Sequence, residues 1–396
     1  MKIHFFILLL LSLNATIFSS RPPYDFSGVV FDTGGLSRAA FPEGFVFGTA
    51  TSAYQVEGMA DKDGRGPSIW DSFVKLPGKI ARNATGDVAV DQYHRYKEDI
   101  DHMKRLNFDA YRFSISWSRI FPNGSGEVNW KGVAYYNRLI DYMIQRGITP
   151  YANLYHYDLP LALQTRYGGL LDKQIVGNKE DELGFYWILR ITNLSRKEKK
   201  TTMQLKEREI FTLDEVELVK GSVDFVGINQ YTTFYMFNPT WPKPTTHGYQ
   251  SDWNVGYAYE KNGKPIGPRA HTGWLYEVPW GMYKALMYVK QHYGNPNVIV
   301  SENGMDTSDI PLPKGLNDTE RIHYYKTYLQ NMKKAIDNGA NVTGYFAWSL
   351  LDNFEWLSGY TSRFGIIYVD YKDNLKRIPK MSAYWFKQMI QKKKEA

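Results

Sequence analysis

Apolar runs and helical spacings alternate along this chain. Short apolar runs typical of β-strands begin near residues 45, 110, 150, 225, 298 and 345. Between several of them, apolar side chains recur every three or four residues, as they do on one face of a helix. The clearest series consists of Ile322, Tyr325, Leu329, Met332 and Ile336. Strands that alternate with helices in this way predict a parallel sheet with helices packed outside it.

The six predicted strands are two fewer than the eight of a closed β/α barrel. Polar and aromatic residues gather just after the predicted strand ends, which is where such a barrel carries its active site. The shortage of strands falls where residues 177–208 are mostly polar and charged. We therefore predict an α/β fold, a (β/α)8 TIM barrel that is incomplete because about two β/α units are missing between Leu171 and Phe211. We interpret residues 177–210 as an atypical replacement segment.

Length and composition indicate one large domain. The chain has 396 residues, and 43% of them are hydrophobic, which is ample for a large core. A net charge of +7 is small for this length and there is no long block of basic residues, so the charge argues against nucleic-acid binding. Cysteine is absent, and a core of this size does not need disulfides. We expect residues 21–396 to form a single barrel domain.

The N-terminus has the layout of a cleaved signal peptide. Lys2 and His4 precede an apolar run at residues 5–13, and small and polar residues follow up to Ser20. The run is too short to span a membrane, although a signal anchor is the alternative interpretation. N-glycosylation sequons begin at Asn83, Asn123, Asn193, Asn317 and Asn341. We therefore predict a signal peptide at residues 1–20 and a secreted glycoprotein, located in the cell wall or the vacuole.

Acidic and aromatic residues follow two of the predicted strands. Glu302 comes directly after the buried run 297–301, and Glu355 and Trp356 follow the run 344–349. Carboxylates can cleave a glycosidic bond and aromatic faces can hold a sugar ring, so this pattern indicates a carbohydrate site. Cleavage normally takes two carboxylates, one on each side of the bond.

Longer motifs around these residues resemble glycoside hydrolase family 1. Residues 41–58 resemble the family's N-terminal signature, residues 300–304 its nucleophile motif and residues 350–356 its sugar-binding loop. Residues 227–231 and 262–268 are similar to plant β-glucosidases in particular. The resemblance implies a retaining β-glucosidase-type hydrolase that acts on terminal non-reducing β-D-glucosyl residues.

The resemblance also implies a role for each residue of the site. Glu302 would be the nucleophile that forms a glycosyl-enzyme, with Arg112 and Tyr231 hydrogen-bonded to its carboxylate. Gln55, His156 and Glu355 would hold glucose hydroxyls, and Tyr231 would contact the sugar as well. The remaining expected contacts are aromatic: Trp348 and Trp356 with the sugar, Phe364 closing the pocket, and Trp274 and Tyr257 beside the aglycone.

Some of these residues have a structural alternative. Arg112 could equally pair with a structural acid, and a lone histidine such as His156 is often only a core residue. Trp274 and Tyr257 could be ordinary core aromatics. We interpret Glu57, which lies in the N-terminal signature, as a structural residue.

The chain departs from the family in one place. The resemblance covers residues 41–171 and 211–386, and between them the family's Asn-Glu-Pro turn, which carries the general acid/base, does not occur. None of the acids in residues 177–210 follows a convincing strand. The interpretations left open are a β-glucosidase without its acid/base, an inactive protein that binds β-glucosides, and an unstable truncated product. The expected partners are small β-glucosides or gluco-oligosaccharides, with no cofactor and no metal.

Overall fold

The structure is a computed structural model that describes residues 24–170, 223–240 and 255–392. Its helices are α1 Ala53–Val56, α2 Ile69–Phe73, α3 Gln92–Arg105, α4 Trp117–Ile120, α5 Trp130–Gln145, α6 Leu161–Tyr167, α7 Pro279–His292, α8 Thr319–Asp337 and α9 Met381–Met389. Its strands are β1 Val46–Ala50, β2 Ala110–Ser114, β3 Thr149–Asn153, β4 Val226–Asn229, β5 Tyr235–Phe237, β6 Gly256–Ala258, β7 Glu260–Lys261, β8 Lys264–Pro265, β9 Val298–Asn303, β10 Thr307–Ser308, β11 Val342–Trp348, β12 Ser362–Arg363, β13 Ile367–Asp370 and β14 Lys376–Pro379.

Among the described residues, six parallel strands form the central curled sheet, in the order β3-β2-β1-β11-β9-β4. Each of them corresponds to one of the six strands predicted from the sequence. The register aligns Ala50 with both Arg112 of β2 and Trp348 of β11. On the other side, Asn229 of β4 is aligned with Glu302 of β9. The predicted fold class, an α/β barrel, is confirmed, and its sheet has six strands in the part of the chain that the structure describes.

The two ends of this sheet, β3 and β4, each pair with a single neighbour among the described residues. The rings of Tyr151 on β3 and Phe225, next to β4, lie 6.3 Å apart, and Tyr151 also contacts Phe346 at 5.0 Å. Aromatic side chains therefore occupy the space where the two ends of the sheet approach each other. The predicted replacement segment 177–210 lies outside the described residues.

The core consists of the sheet and the inner faces of the helices around it. Phe47 on β1, Phe113 on β2 and Phe346 on β11 are at most 2% exposed. In α8, Tyr325 and Leu329 are fully buried, at the spacing that the sequence predicts for the inner face of a helix. Each such side chain contributes about 1.5–3 kcal/mol by leaving water, so the helices are held chiefly by their apolar faces.

Four of the five predicted sequons lie in the described residues. The sequon asparagines that the structure describes are all exposed, namely Asn83, Asn123, Asn317 and Asn341. Asn193 and the predicted signal peptide lie outside the described residues. Of the helices that are described, none is both long and apolar enough to cross a membrane.

His102, on α3, is predicted to make folding sensitive to acid. Burial, with a smaller contribution from the cations Arg105 and Arg377, lowers the pKa of its imidazole from 6.5 to about 4. Between pH 6.5 and 4 the unfolded chain therefore binds more protons at this residue, and the free energy of unfolding falls as the pH falls. Over this range His102→Gln should remove about 3 kcal/mol of pH dependence, measured as the difference between wild-type and variant urea denaturation curves.

The comparison with the variant is needed because another group acts in the opposite sense. Burial raises the pKa of the Asp158 carboxyl to about 7, so its contribution favours folding at low pH and is lost as the pH rises toward 7. The net curve of the wild-type protein therefore mixes both effects. Parallel pH profiles for the wild type and His102→Gln would contradict the prediction for His102.

Candidate active site

The ends of the central strands bring four of the predicted site residues together. Arg112 lies on β2, Glu302 on β9 and Trp348 at the end of β11, while Tyr231 follows β4 by two residues. Because all these strands are parallel, their C-terminal ends share one edge of the sheet. Residues that are far apart in the sequence therefore meet at this edge, as their positions after predicted strands indicated.

Glu302 is buried, with 5% of its surface exposed, and both of its carboxylate oxygens are engaged. The guanidinium of Arg112 donates to Oε1, and the hydroxyl of Tyr231 donates to Oε2 at 2.6 Å. Nδ1 of His156 lies 3.9 Å from Oε1. Of the two interpretations of Arg112, pairing with Glu302 is the one that the structure contains. The carboxylate is thus held in one orientation by a donor on β2 and a donor just after β4.

Tyr231 is itself held from several sides. Its carbonyl oxygen accepts hydrogen bonds from the hydroxyls of Tyr324 at 2.7 Å and Tyr328 at 2.9 Å, both on α8. Its ring makes edge contacts with Trp274 at 5.8 Å and with Phe364 at 6.1 Å. Burial, and then the nearby charge of Glu302, raise the pKa of the Tyr231 hydroxyl well above its usual value. The hydroxyl therefore remains a hydrogen-bond donor to Glu302 at physiological pH.

A second acidic group, Glu355, lies beside Gln55. The Gln55 amide nitrogen is 3.4 Å from Oε2 of Glu355 and donates more closely to Asn353 Oδ1 at 3.0 Å and to the Phe354 carbonyl at 2.9 Å. Gln55 is fully buried, so its amide ties the loop that carries Glu355 to α1. Burial raises the pKa of the Glu355 carboxyl well above its usual range, and the charges of Asp306 and Glu302 add to the effect.

His156 lies between aromatic faces. Its ring is nearly parallel to that of Trp348, with centroids 5.6 Å apart, and to that of Trp356, at 6.1 Å. Burial lowers the pKa of His156 to about 4, so the ring is neutral at pH 7. The Asn153 amide lies 3.1 Å from Nδ1, and if it donates there, Nε2 carries the proton and can donate to a ligand.

Tyr257 is the predicted site residue that the described contacts do not connect to Glu302. It lies on β6, is 47% exposed, and its ring contacts Phe234 and Tyr259. Trp274, predicted for the same aglycone wall, does reach the site through Tyr231. Glu57 accepts hydrogen bonds from Arg119 at 2.8 Å and Tyr136 at 2.7 Å within the core, as its structural interpretation requires.

The layer of polar groups behind Glu302 was not predicted from the sequence. The Asn303 side chain donates to the Gln230 carbonyl at 2.7 Å and to the Tyr324 hydroxyl at 2.9 Å, and it accepts from Tyr345 at 2.7 Å. The sequence feature that could have indicated this layer is the recurrence of tyrosine at 324, 325 and 328, on the buried face of α8. Hydroxyl groups on an otherwise apolar face indicate buried hydrogen bonds, because a buried polar group without a partner is costly.

Comparison with known proteins identifies the family. The sequence profile described as Glycosyl hydrolase family 1 matches residues 37–186 and 178–395. The chain belongs to glycosyl hydrolase family 1. Its relatives in the family include Beta-glucosidase 44 of Arabidopsis thaliana, which is 53% identical over an alignment that covers 97% of this chain and 98% of the relative. Beta-glucosidase 1 of Oryza sativa subsp. japonica is 48% identical, with 91% of each chain covered.

Solved structures agree with this assignment. The crystal structure of the rice Os3BGlu6 β-glucosidase superposes with a TM-score of 0.80 at 38% identity, covering 90% of this chain and all of that one. A mutant of the same rice enzyme, described as a covalent complex with Glc from GA4GE, superposes with a TM-score of 0.78 at 37% identity. The predicted resemblance to plant-type β-glucosidases is therefore confirmed.

The comparisons also locate a discontinuity. The two ranges that match the family profile meet at residues 178–186, inside the predicted replacement segment. The alignment with the Arabidopsis relative spans 500 positions, more than the 396 residues of this chain, so part of that relative has no counterpart here.

Glu355 is predicted to contribute to sugar binding in this family member. Glu355→Ala should weaken the binding of a β-glucoside by about 1–3 kcal/mol, because the sugar hydroxyls lose a hydrogen-bond partner in the site. Isothermal titration calorimetry measures the change, and Glu320→Ala, at an exposed position of α8, is the control. Unchanged affinity in a folded Glu355→Ala protein would remove Glu355 from the site.

Proposed function

We propose that this chain is a retaining β-glucosidase-type protein that uses Glu302 as its nucleophile and has no general acid/base. The observation that carries the proposal is the Glu302 carboxylate itself, fixed by Arg112 and Tyr231 at a strand end. Glu355, His156 and Trp348 lie around it in positions that suit a glucosyl group. The substrate class is small β-glucosides or gluco-oligosaccharides with a terminal β-D-glucosyl residue, by analogy with the relatives named above.

The reaction would proceed in two steps. In the first, a Glu302 oxygen attacks the anomeric carbon, and the bond to the aglycone oxygen breaks with its electron pair leaving on that oxygen. In the second, water attacks the anomeric carbon and frees Glu302. The rice mutant described as a covalent complex with Glc supports the first step for a relative, and we extend it to this chain.

The missing half of the mechanism is proton transfer. A retaining glycosidase uses a second carboxylate to protonate the leaving oxygen and then to activate water. No Glu-Pro sequence, and hence no Asn-Glu-Pro turn, occurs in the chain. The break in the family match at residues 178–186 supports the interpretation that the segment with the acid/base is absent. The nucleophile would then remain without its partner.

Covalent trapping tests the proposal. A dinitrophenyl 2-deoxy-2-fluoro-β-glucoside should add one sugar per chain, and peptide mapping should find that sugar on Glu302. Glu302→Gln should take up none while keeping the circular dichroism spectrum of the wild type. A label on a different residue of folded protein would contradict the assignment of the nucleophile.

Binding without labelling would favour the second candidate, a protein that binds β-glucosides and does not cleave them. That candidate is supported by the same missing acid/base, since binding needs only the glucosyl contacts. Calorimetry with an unreactive thioglucoside measures binding, which both candidates require, and the labelling experiment then separates them, because only the first candidate forms the covalent adduct.

We also propose that the protein enters the secretory pathway and is glycosylated before it reaches the cell wall or the vacuole. The exposure of the four described sequon asparagines supports this, because a glycan needs an accessible side chain. Expression in plant cells followed by enzymatic deglycosylation should lower the mass, and the mature N-terminus should lie near residue 21. An unshifted mass with Met1 retained would contradict the proposal.

A further inference from the structure

Asp306, four residues after Glu302, is a buried carboxylate that the mechanism above does not use. Its oxygens accept hydrogen bonds from the Thr272 amide at 3.0 Å, the Thr272 hydroxyl at 3.3 Å and the Ser362 hydroxyl at 2.8 Å. In the described part of the chain, no lysine, arginine or histidine forms an ion pair with it. A buried charge without a cation is costly, so these hydrogen bonds are the main compensation for its burial.

The first partner, Thr272, lies at the tip of a loop. The loop is closed below the tip by hydrogen bonds from the Glu277 amide to the Pro268 carbonyl at 2.7 Å and from the Ala270 amide to the Leu275 carbonyl at 2.9 Å. The tip itself is held by the hydrogen bonds from Thr272 to Asp306. Trp274 follows Thr272 by two residues.

The second partner, Ser362, lies on β12, which pairs with β10 directly after Asp306. Phe364 follows Ser362 by two residues and is 1% exposed. Asp306 therefore holds two separate segments through Thr272 and Ser362. In each segment an aromatic residue, Trp274 or Phe364, follows the hydrogen-bonded residue by two positions.

Both aromatic residues contact one side chain. The Trp274 ring meets Tyr231 at 5.8 Å and 75°, and the Phe364 ring meets it at 6.1 Å and 87°. Tyr231 in turn donates to Glu302. Asp306 thus fixes the two segments whose rings enclose the residue that orients the nucleophile. Trp274 is 42% exposed, so part of its face remains open to a ligand.

We propose that Asp306 is a positioning residue that sets Trp274 relative to Glu302 and thereby determines affinity for an aryl aglycone. The inference rests on the proposed function in one respect, namely that the glucosyl group binds at Glu302. Its structural part does not depend on any ligand. Asp306 acts through Thr272 and touches neither the sugar nor the aglycone.

Asp306→Asn is the variant that tests the proposal. It keeps the size of the side chain but removes its negative charge, so the charge-assisted hydrogen bonds with Thr272 and Ser362 become weaker neutral ones and the loop tip is held less tightly. Asp309→Asn is the matched control, because Asp309 lies in the same segment and pairs with Arg363, 2.8 Å away, with no bond to Thr272.

Two unreactive ligands separate the aglycone from the sugar. Methyl and 4-nitrophenyl 1-thio-β-glucosides share the glucosyl group and differ only in the aglycone. Asp306→Asn should lower the affinity for the aryl ligand about tenfold and change the affinity for the methyl ligand by less than about twofold. Asp309→Asn should change neither affinity. Adding Trp274→Ala to Asp306→Asn should produce no further loss for the aryl ligand, because both changes act on one contact. Equal losses for the two ligands would overturn the proposal.

Hydrogen exchange gives a readout that needs no ligand. The Thr272 amide donates directly to Asp306, so its exchange should speed up by about tenfold or more in Asp306→Asn, while amides of the central strands keep the wild-type rate. If the wild type binds neither thioglucoside, the proposed function fails and exchange at Thr272 alone decides the positioning role. An unchanged rate at Thr272, or faster exchange throughout the protein, would overturn that role.

Discussion

The ratio of kcat/KM for a dinitrophenyl β-glucoside to kcat/KM for cellobiose should be about 10²–10⁴-fold larger for this chain than for a relative that has both carboxylates. Dinitrophenolate is a stable anion and leaves without a proton. The sugar alcohol that leaves from cellobiose needs one, and the proposed mechanism has no group to supply it. Glu302 can therefore be glucosylated by the first substrate and hardly by the second.

The measurement is kcat/KM for both substrates, on this chain and on Beta-glucosidase 44 of Arabidopsis thaliana as the reference. The ratio of the two kcat/KM values does not depend on the amount of folded protein, so the ratios of the two proteins can be compared directly. Comparable ratios in the two proteins would mean that this chain has a replacement acid/base. The interpretation of residues 177–210 as lacking one would then be wrong.

Asp352→Ala should lower the free energy of unfolding by about 3–5 kcal/mol. Asp352 is fully buried and forms ion pairs with Arg363 at 2.6 Å and Lys380 at 2.8 Å, and it also accepts from the Gly365 amide at 3.0 Å. Burial alone would raise its pKa, but Lys380 and Arg363 outweigh burial and lower it. Removing the carboxylate leaves Lys380 buried without an anion, which is the costly outcome for an ion pair in the core.

Urea denaturation of the variant measures this change, with Asp337→Ala as the control. Asp337 pairs with Lys333 on the exposed side of α8, where such pairs contribute less than about 1 kcal/mol. A loss for Asp352→Ala no greater than that of Asp337→Ala would show that the buried cluster is not needed for stability. Asp352 precedes Glu355 by three residues, so the variant is also expected to weaken glucoside binding.

The middle of the central sheet could be predicted from the sequence because strands such as β9 are buried on both faces. The run at 297–301, for example, contains Val298, Ile299 and Val300, all nearly inaccessible in the folded chain. Parallel strands buried in this way read as continuous apolar runs. Strand ends were less well predicted: β9 continues to Asn303, beyond the apolar run at 297–301, because hydrogen bonds of individual side chains decide where a strand ends. Strand β3 ends at Asn153, whose carboxamide oxygen accepts from the Tyr155 amide at 3.3 Å.

The candidate site was predictable in its first layer only. Glu302 and Glu355 follow predicted strands, and the family motifs assign roles to their neighbours. The second layer consists of groups such as Asp306 and the α8 tyrosines, which lie far along the chain from the residues they hold. Their hydrogen bonds depend on tertiary packing, which cannot be predicted from a local periodicity or motif in the sequence. Short pairs such as β10 with β12 escape prediction for the same reason.

The central claim is that glucosylation at Glu302 survives without a partner for proton transfer, and rescue by azide tests it most directly. Hydrolysis of the glycosyl-enzyme should be slow, because no base activates water. Azide is already an anion, so it can attack the anomeric carbon, displace Glu302 and form β-glucosyl azide without a base. With a dinitrophenyl β-glucoside we predict turnover that rises with azide concentration and yields β-glucosyl azide. Turnover that is insensitive to azide and yields only glucose would contradict the claim.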